Sequence, residues 1–443
     1  MNLFFKLFRP FKFIFQFSAI RNLAAFAISK TLIEINPKNK NYKRTILVLN
    51  HIRFLNDLNV LGKNPDVRLL ALSPNLQVLI NSINCKHKHE REDYFKLTTE
   101  NVRNDRYRLY KFLTKFIPKL CKFANIDALL TCSFYYLQDQ EWDRASKDSG
   151  IPFLAIYKEN LKYEVRGEYS IQLYKSRGYK FQGNKLLVFD ERSKTILSKS
   201  EICKPENILV TGMIRIDDIF NDVSNNDYSQ KKDQVTLFSF RHAIGGFLTV
   251  DKSFDTCFST DGKNGVVDLF DNVHSTIAKL AKANPNTKFV IKTKRAGMWP
   301  KKINERLKHK LGYDSSEIEN LEITSTTPAH DLIKNSDVIV GINSTTLLES
   351  KLFNKKTIIP FYDEAAGRHK KEIYFQDFFD DFTIASSSEE LEVMIQNSIN
   401  SKNDNIKKIS PDAIARYFGY FDGNNCNRLI EVVNNEIKAN GYS

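Results

Sequence analysis

Between Val338 and Glu349 the chain reads VIVGINSTTLLE, and Asn343, Ser344, Thr345 and Thr346 stand where an apolar β-branched run gives way to helical spacing. Small hydroxyl and amide side chains are favoured helix N-caps. The unpaired N–H groups of a helix start, with the dipole behind them, receive phosphate or carboxylate. Gly341 marks the expected point where the backbone leaves the strand. Glu349, inside the helix, either accepts hydrogen bonds from ribose hydroxyls or lies solvated on the surface. Lys292 and Lys294 alternate near the end of KFVIKTK, which puts both ammonium groups on one face. Beside the 343–346 turn they would form a diphosphate receptor; the alternative is a pair of solvated strand-end lysines. Arg241 and His242 follow directly on the strand VTLFSF, placed either for a ligand or simply in a loop. Arg215, just past ILVTG, either meets phosphate or pairs with Asp217 or Asp218.

These groups need strands to carry them, and the sequence supplies strands alternating with helices. RTILVLNH, DVRLLALS, IDALLTCS, FLAIYKEN, LLVFD and ILVTG read as buried strands, with helices expected over residues 91–124 and 138–148 among the connections. Parallel neighbours need such long crossovers, so residues 41–221 form one α/β domain. The polar run DVSNNDYSQKKD, residues 222–233, reads as a linker. Alternation resumes over residues 234–395, with a helix from Val267 to Ala283, and residues 396–443 read as helices long enough to return to the first domain. Two α/β halves imply a cleft suited to a small ligand. Residues 241–268 form a long Gly-containing polar connection of the kind that carries function.

The chain has 443 residues, 42% apolar and 27% charged, in the range of folded globular proteins, with a net charge of +14. Its lysines are interspersed with acids through most of the sequence, and no Arg-rich tract or zinc-finger spacing is present, so nucleic acid is not the expected partner. Cys85, Cys121, Cys132, Cys203, Cys257 and Cys426 are far apart and are expected as reduced thiols. His87 and His89 near Cys85 lack a second ligand pair, so no metal is expected there. Residues 1–40 open with MNLFFKLFRPFKFIFQFSAI, where Lys6, Arg9 and Lys12 interrupt any span long enough to cross a bilayer. Aromatic residues interleaved with basic ones fit a segment lying in an anionic membrane interface, or else an apolar arm packed on the protein itself.

From ILVTGMIRIDDI through KFVIKTK to HDLIKNSDVIVGINSTTLLESKLFNKKTIIPFYDEA, the chain resembles GT-B glycosyltransferases of bacterial surface-carbohydrate synthesis, clearest over residues 186–365. The nearest groups are capsule and lipopolysaccharide transferases, including Kdo-transferase-like proteins. Polyol-phosphate transferases are more distant. Thr211, Gly212, Arg215 and Asp217 match the TG-x-x-R-x-D turn that closes the amino-terminal domain in those families, with Met213 and Ile214 in place of Asn and Pro. The resemblance implies an α/β, GT-B fold of two Rossmann-like domains. It implies a CMP- or UDP-linked sugar in the second domain, with Ser344 and Thr345 at its phosphates, and a glycan or glycolipid acceptor in the first. Asp422 and Gly423 match a family turn near the carboxyl terminus. No Asp-x-Asp clamp is present, so catalysis is expected without metal or other cofactor.

Related transferases place an acidic residue after the strand matched by FLAIYK, which makes Glu159 the first choice of base. His51 and Asp57, after ILVLN, are further candidates, or else caps of their own elements. The expected protein is thus a cytoplasmic glycosyltransferase, peripheral on the inner face of the cytoplasmic membrane. Two alternatives are a CDP-alditol polyol-phosphate transferase, whose histidine-rich motifs are missing, and a non-hydrolysing sugar-nucleotide epimerase, which shares the fold but needs no acceptor.

Overall fold

The computed structural model describes residues 18–35, 41–85, 99–159, 164–178, 180–226, 228, 230, 232–240, 265–294, 298–400 and 406–441. These divide into two compact units, the first built from residues 1–160, 167–218 and 414–443, the second from residues 161–166 and 219–413.

The first unit opens with helix α1 (Ser18–Ser29) and strand β1 (Ile33–Ile35). There follow β2 (Arg44–Val48), α2 (Leu55–Leu61), β3 (Val67–Ala71), α3 (Pro74–Asn84), α4 (Glu100–Ala124), β4 (Ala128–Thr131), α5 (Trp142–Asp148), β5 (Phe153–Tyr157), α6 (Glu164–Arg177), β6 (Lys185–Val188), α7 (Glu191–Lys199) and β7 (Ile208–Val210), and the boundary to the second unit falls within α8 (Ile216–Asn225). The strands pair in the order β1-β3-β2-β4-β5-β6-β7, all parallel except β1, which runs antiparallel to β3. Near-continuous apolar strands are what a parallel sheet covered on both faces requires. Ile46, Leu47, Leu129, Leu154, Leu187 and their neighbours are accordingly buried. Thr99 caps α4, and Leu109, Phe112, Leu113, Phe116, Ile117 and Leu120 form its buried stripe.

The second unit contains β8 (Gln234–Phe238), α9 (Val267–Ala283), β9 (Lys288–Lys292), α10 (Met298–Leu311), β10 (Leu321–Thr324), α11 (Ala329–Lys334), β11 (Val338–Gly341), α12 (Thr345–Leu352), β12 (Lys356–Pro360), α13 (Asp363–Ala366), β13 (Thr383–Ala385) and α14 (Ser388–Asn400). Its sheet is wholly parallel, in the order β10-β9-β8-β11-β12-β13. This is the doubly wound Rossmann order, with the reversal between β8 and β11. Two parallel-sheet Rossmann-like domains are the α/β class that the sequence pointed to.

Several local features differ from the sequence reading. The segment expected as an arm over residues 1–40 is in its second half part of the first unit, because α1 packs on α4 and β1 extends the sheet; residues 1–17 and 36–40 lie outside the described residues. The polar stretch 222–233 begins as the last residues of α8 rather than as linker. The helix expected over residues 138–148 is broken by Glu141, held at φ 66°, and only Trp142–Asp148 is α-helical. Arg106 holds the Glu141 carboxylate at 2.5 Å, a tertiary contact that sequence periodicity does not carry.

Helices α15 (Pro411–Tyr417) and α16 (Asn425–Ala439) complete the chain, and residues 414–443 belong to the first unit. The turn after β7 receives them. Asp217 accepts the backbone N–H groups of Asn425 and Cys426 at 3.1 and 2.8 Å and the Asn425 side-chain amide at 2.8 Å. Gly212, at φ 78°, leaves room for this amide, since a Cβ there would fall 1.9 Å from its oxygen. In this chain the TG-x-x-R-x-D match is thus a docking device for the last helix. Replacing Asp217 by Ala removes three hydrogen bonds at a buried helix start, a loss on the order of 2–4 kcal/mol. The α16 amides are then expected to exchange with deuterium at least tenfold faster while those of α9 are unaffected; equal α16 protection in the variant would refute that role for Asp217.

Candidate functional site

In each parallel sheet the loops at the carboxyl ends of the strands meet where the strand order reverses, and ligands of open α/β sheets bind there. In the second unit this point lies between β8 and β11. Gly341 ends β11 in register with Phe238 of β8. A Cβ on Gly341 would sit 3.1 Å from both the Phe238 carbonyl and the Leu347 side chain, so its absence lets α12 close on the sheet. The bend comes two residues later than expected, at Asn343, which adopts φ 55°. Its side chain donates to the Glu372 carbonyl at 3.1 Å and accepts from the Tyr374 N–H at 2.8 Å, so it clamps the neighbouring segment. Ser344 caps α12 by accepting from the Thr346 N–H at 3.3 Å, and its hydroxyl lies 2.7 Å from that of Thr346. Asn343, Ser344, Thr345 and Thr346 are all part-exposed between the buried Ile342 and Leu347.

The lysine pair is not assembled beside this turn. β9 ends at Lys292, whose ammonium donates to the carbonyls of Thr293 and Ser325 at 3.0 and 2.7 Å. Ser325 follows β10, on the side of β9 away from β8. Lys292 is level with Gly341 but two strands away, roughly 10 Å. Lys294 is exposed two residues beyond the strand. Glu349 is neither solvated nor open, being 4% exposed with His330 Nε2 of α11 at 2.8 Å. Arg241 and His242 lie outside the described residues.

A cluster that sequence reasoning missed stands at the end of β8. Ser239 Oγ is 3.0 Å from His274 Nε2 and accepts from Trp299 Nε1 at 3.2 Å, while His274 Nδ1 is 2.7 Å from the Phe270 carbonyl. Burial lowers the pKa of His274 to about 4. A neutral ring therefore donates from Nδ1 to the carbonyl and accepts from Ser239.

The corresponding reversal in the first unit lies between β2 and β4. Asn50, at φ 54° and 2% exposed, turns the chain after β2. Its amide donates to Asp139 at 2.5 Å and its oxygen accepts from Gln138 at 2.7 Å. Gln77 and Thr131 also donate to the Asp139 carboxylate, at 2.8 and 2.6 Å. This buried network fixes the residue before His51. His51 is part-exposed, and burial lowers its pKa against a smaller opposing effect of a hydrogen bond with the Leu72 backbone. Arg53 lies 4.4 Å over the Tyr136 ring, and Lys158, just past β5, donates to the Arg53 carbonyl. Glu159 is exposed beside Lys158. Asp57 and Arg215 meet each other instead: Asp57 Oδ1 accepts the Arg215 backbone N–H at 3.3 Å, and the guanidinium lies 3.7 Å away.

No family model matches the chain, and no curated protein matches it in sequence. Among solved structures it is similar to a UDP-GlcNAc 2-epimerase from Neisseria meningitidis bound to UDP-GlcNAc, with 14% identity, 88% of this chain and 100% of that chain covered, and a TM-score of 0.45. A glycosyltransferase from Rickettsia africae is 14% identical over 90% of this chain and 100% of its own, with a TM-score of 0.48. The UDP-GlcNAc 2-epimerase of Methanocaldococcus jannaschii is 11% identical over 88% and 99%, also with a TM-score of 0.48. Overlaps this loose leave substrate and reaction to the chain's own geometry.

The buried acids and histidine give the two units opposite pH behaviour. Burial raises Asp139 to about 6 and Asp143 to about 7, both in the first unit. The native state there holds more protons than the unfolded chain between about pH 4 and 7, so stability falls as pH rises through that window. His274, lowered to about 4, makes the second unit gain stability between about pH 4 and 6.5. Trp142 reports the first unit and Trp299 the second. In Trp299→Phe and Trp142→Phe variants, the urea midpoints read by the remaining tryptophan are expected to move in opposite directions from pH 4.5 to 6.5. Parallel movement would contradict these assignments.

Proposed function

We propose that this chain is a GT-B glycosyltransferase that moves a sugar from a CMP- or UDP-linked donor, without metal, to a bacterial surface polysaccharide or lipid-linked glycan. The observation that carries the reading is the start of α12. It lies at the strand-order reversal of the second unit, part-exposed, and is capped by the neutral hydroxyl of Ser344. Three other helix starts are already met by carboxylates: Asp190 caps α7, Asp217 receives α16, and Glu364 accepts the Asp268 and Leu269 N–H groups of α9 at 3.0 and 2.9 Å, while the neutral cap of α4, Thr99, does not lie at a strand-order reversal. A neutral cap leaves the positive end of the α12 dipole for a ligand's phosphates. The acceptor class rests on the family resemblance.

Transfer at an anomeric carbon needs the departing diphosphate stabilised and the acceptor hydroxyl relieved of its proton. The amides at the start of α12, with the Thr345 hydroxyl, meet the first need. Glu349, buried against His330, is left out of the donor contacts. For the second need, His51 is preferred over Glu159. His51 follows β2 at the strand-order reversal with its ring held neutral by burial, whereas Glu159 follows β5, one strand beyond β4. Asp57 is occupied by Arg215.

Thermal-shift titration with UDP, CDP, CMP and GDP tests the donor site, since a ligand that binds only the folded state raises the melting temperature. One of the pyrimidine nucleotides is expected to stabilise the protein. Ser344→Asp keeps a good N-cap but sets a carboxylate where phosphate would lie. It should weaken that nucleotide at least tenfold with little change in melting temperature. Equal affinity would remove the assignment. With a turnover assay in hand, His51→Gln is expected to lower kcat about 100-fold or more with nucleotide binding intact, and Glu159→Gln only a few-fold. Conversion of the donor without acceptor would mark an isomerase instead.

A further inference from the structure

The face formed by α1 and α4 shows apolar side chains to solvent and carries charge of one sign. On α1, Ala24, Ala25 and Ile28 are buried, while Leu23 and Phe26 on the other side are 64% and 45% exposed. Phe26 stands edge-on to Phe123 of α4 with ring centroids 5.5 Å apart, and Phe123 is itself 41% exposed. Lys30 lies 5.2 Å over the Phe26 ring. On α4, Lys111, Lys115, Lys119 and Lys122 follow one another at four, four and three residues, which sets them along one side of the helix. None of the four makes an ion pair among the described residues, and all but the part-exposed Lys119 are exposed.

Acids are missing from both contributing stretches. The first acidic residue of the chain is Glu34, which pairs with Arg68 at 2.9 Å, and none occurs between Asp105 and Asp127. Like charges at i,i+4 disfavour a helix slightly, and no acid in the latter stretch offsets the row. The same face carries aromatic and aliphatic side chains at its edge, and the Phe- and Lys-rich residues 1–17 lead directly into α1. An anionic hydrated surface with an apolar interior just beneath it meets both demands: headgroups take the lysines, and Leu23, Phe26 and Phe123 enter the boundary with the acyl chains.

We propose that the α1–α4 face, through Leu23, Phe26, Phe123 and the Lys111-Lys115-Lys119-Lys122 row, docks on an anionic lipid surface. The site is distinct from both strand-order reversals and does not depend on the transferase reading. It also goes beyond the amino-terminal segment, because α4 is far from that segment in sequence and takes part through tertiary packing.

Sedimentation of the full-length protein with phosphatidylcholine vesicles, with and without phosphatidylglycerol, tests it. Binding is expected only to the anionic vesicles and should weaken on raising the salt. Lys115→Glu combined with Lys119→Glu should reduce binding at least tenfold. Phe26→Ser combined with Phe123→Ser should also weaken it, with folding of the first unit checked by Trp142 fluorescence. Equal binding to neutral vesicles overturns the proposal, as does no binding to either. So does full binding by the lysine variant, which would leave residues 1–17 as the sole anchor. A dimer in sedimentation velocity that dissociates in the phenylalanine variant would mean a second copy of the chain covers the face, and overturns it too.

Discussion

The pairing of β8 with β9 on one side and β11 on the other is the constraint on which the second unit depends. It splits the crossovers to the two faces of the sheet and leaves the end of β8 and the end of β11 side by side with no connection crossing between them. Everything accessible and polar in that unit's candidate site follows from it. Ser239 comes from one strand and the 343–346 turn from the other. The first unit repeats the arrangement with β2 flanked by β3 and β4, which places Asn50 and His51 beside the chain leaving β4.

Carboxylates organise much of the rest, and their distribution separates structure from site. Asp217 holds α16, Glu364 holds α9, and Asp139 gathers Asn50, Gln77 and Thr131. Each is buried and each accepts two or more hydrogen bonds, the condition under which a buried acid is tolerated. The start of α12 differs because a hydroxyl caps it. An acid there would complete the helix at least as well, so the neutral cap carries meaning only because the position is also accessible and at the reversal of strand order.

The periodic features were readable in the sequence. The α9 helix runs from Val267 to Ala283 as its spacing implied, and the strands read from apolar runs lie within them, while the short β1, β10 and β13 were not read. What escaped was set by partners far along the chain. Lys292 reads as a neighbour of the α12 turn until the strand order places β8 between them and Ser325 takes its ammonium. Arg215 reads as a phosphate contact or a partner of Asp217 or Asp218, yet Asp217 is bound by residues 208 and 209 positions later, and Arg215 by Asp57, 158 positions earlier. Glu349 meets His330 across a strand, and the Ser239–His274–Trp299 cluster joins three elements with no shared motif. Local spacing names elements; it does not name which of their ends meet.

Magnitudes also explain how α4 tolerates its lysines. Six fully or nearly buried side chains, Leu109, Phe112, Leu113, Phe116, Ile117 and Leu120, attach it to the sheet. At about 1.5–3 kcal/mol each they contribute on the order of 10 kcal/mol. Repulsion within the lysine row opposes this by only about 0.2–0.5 kcal/mol per neighbouring pair, and Lys122 in the last turn interacts favourably with the helix dipole. The fold therefore neither requires the row nor is threatened by it. The chain carries an excess of +14. It includes a local concentration of charge on a helix whose attachment is secured by apolar contacts, beside three exposed apolar side chains that the core does not use.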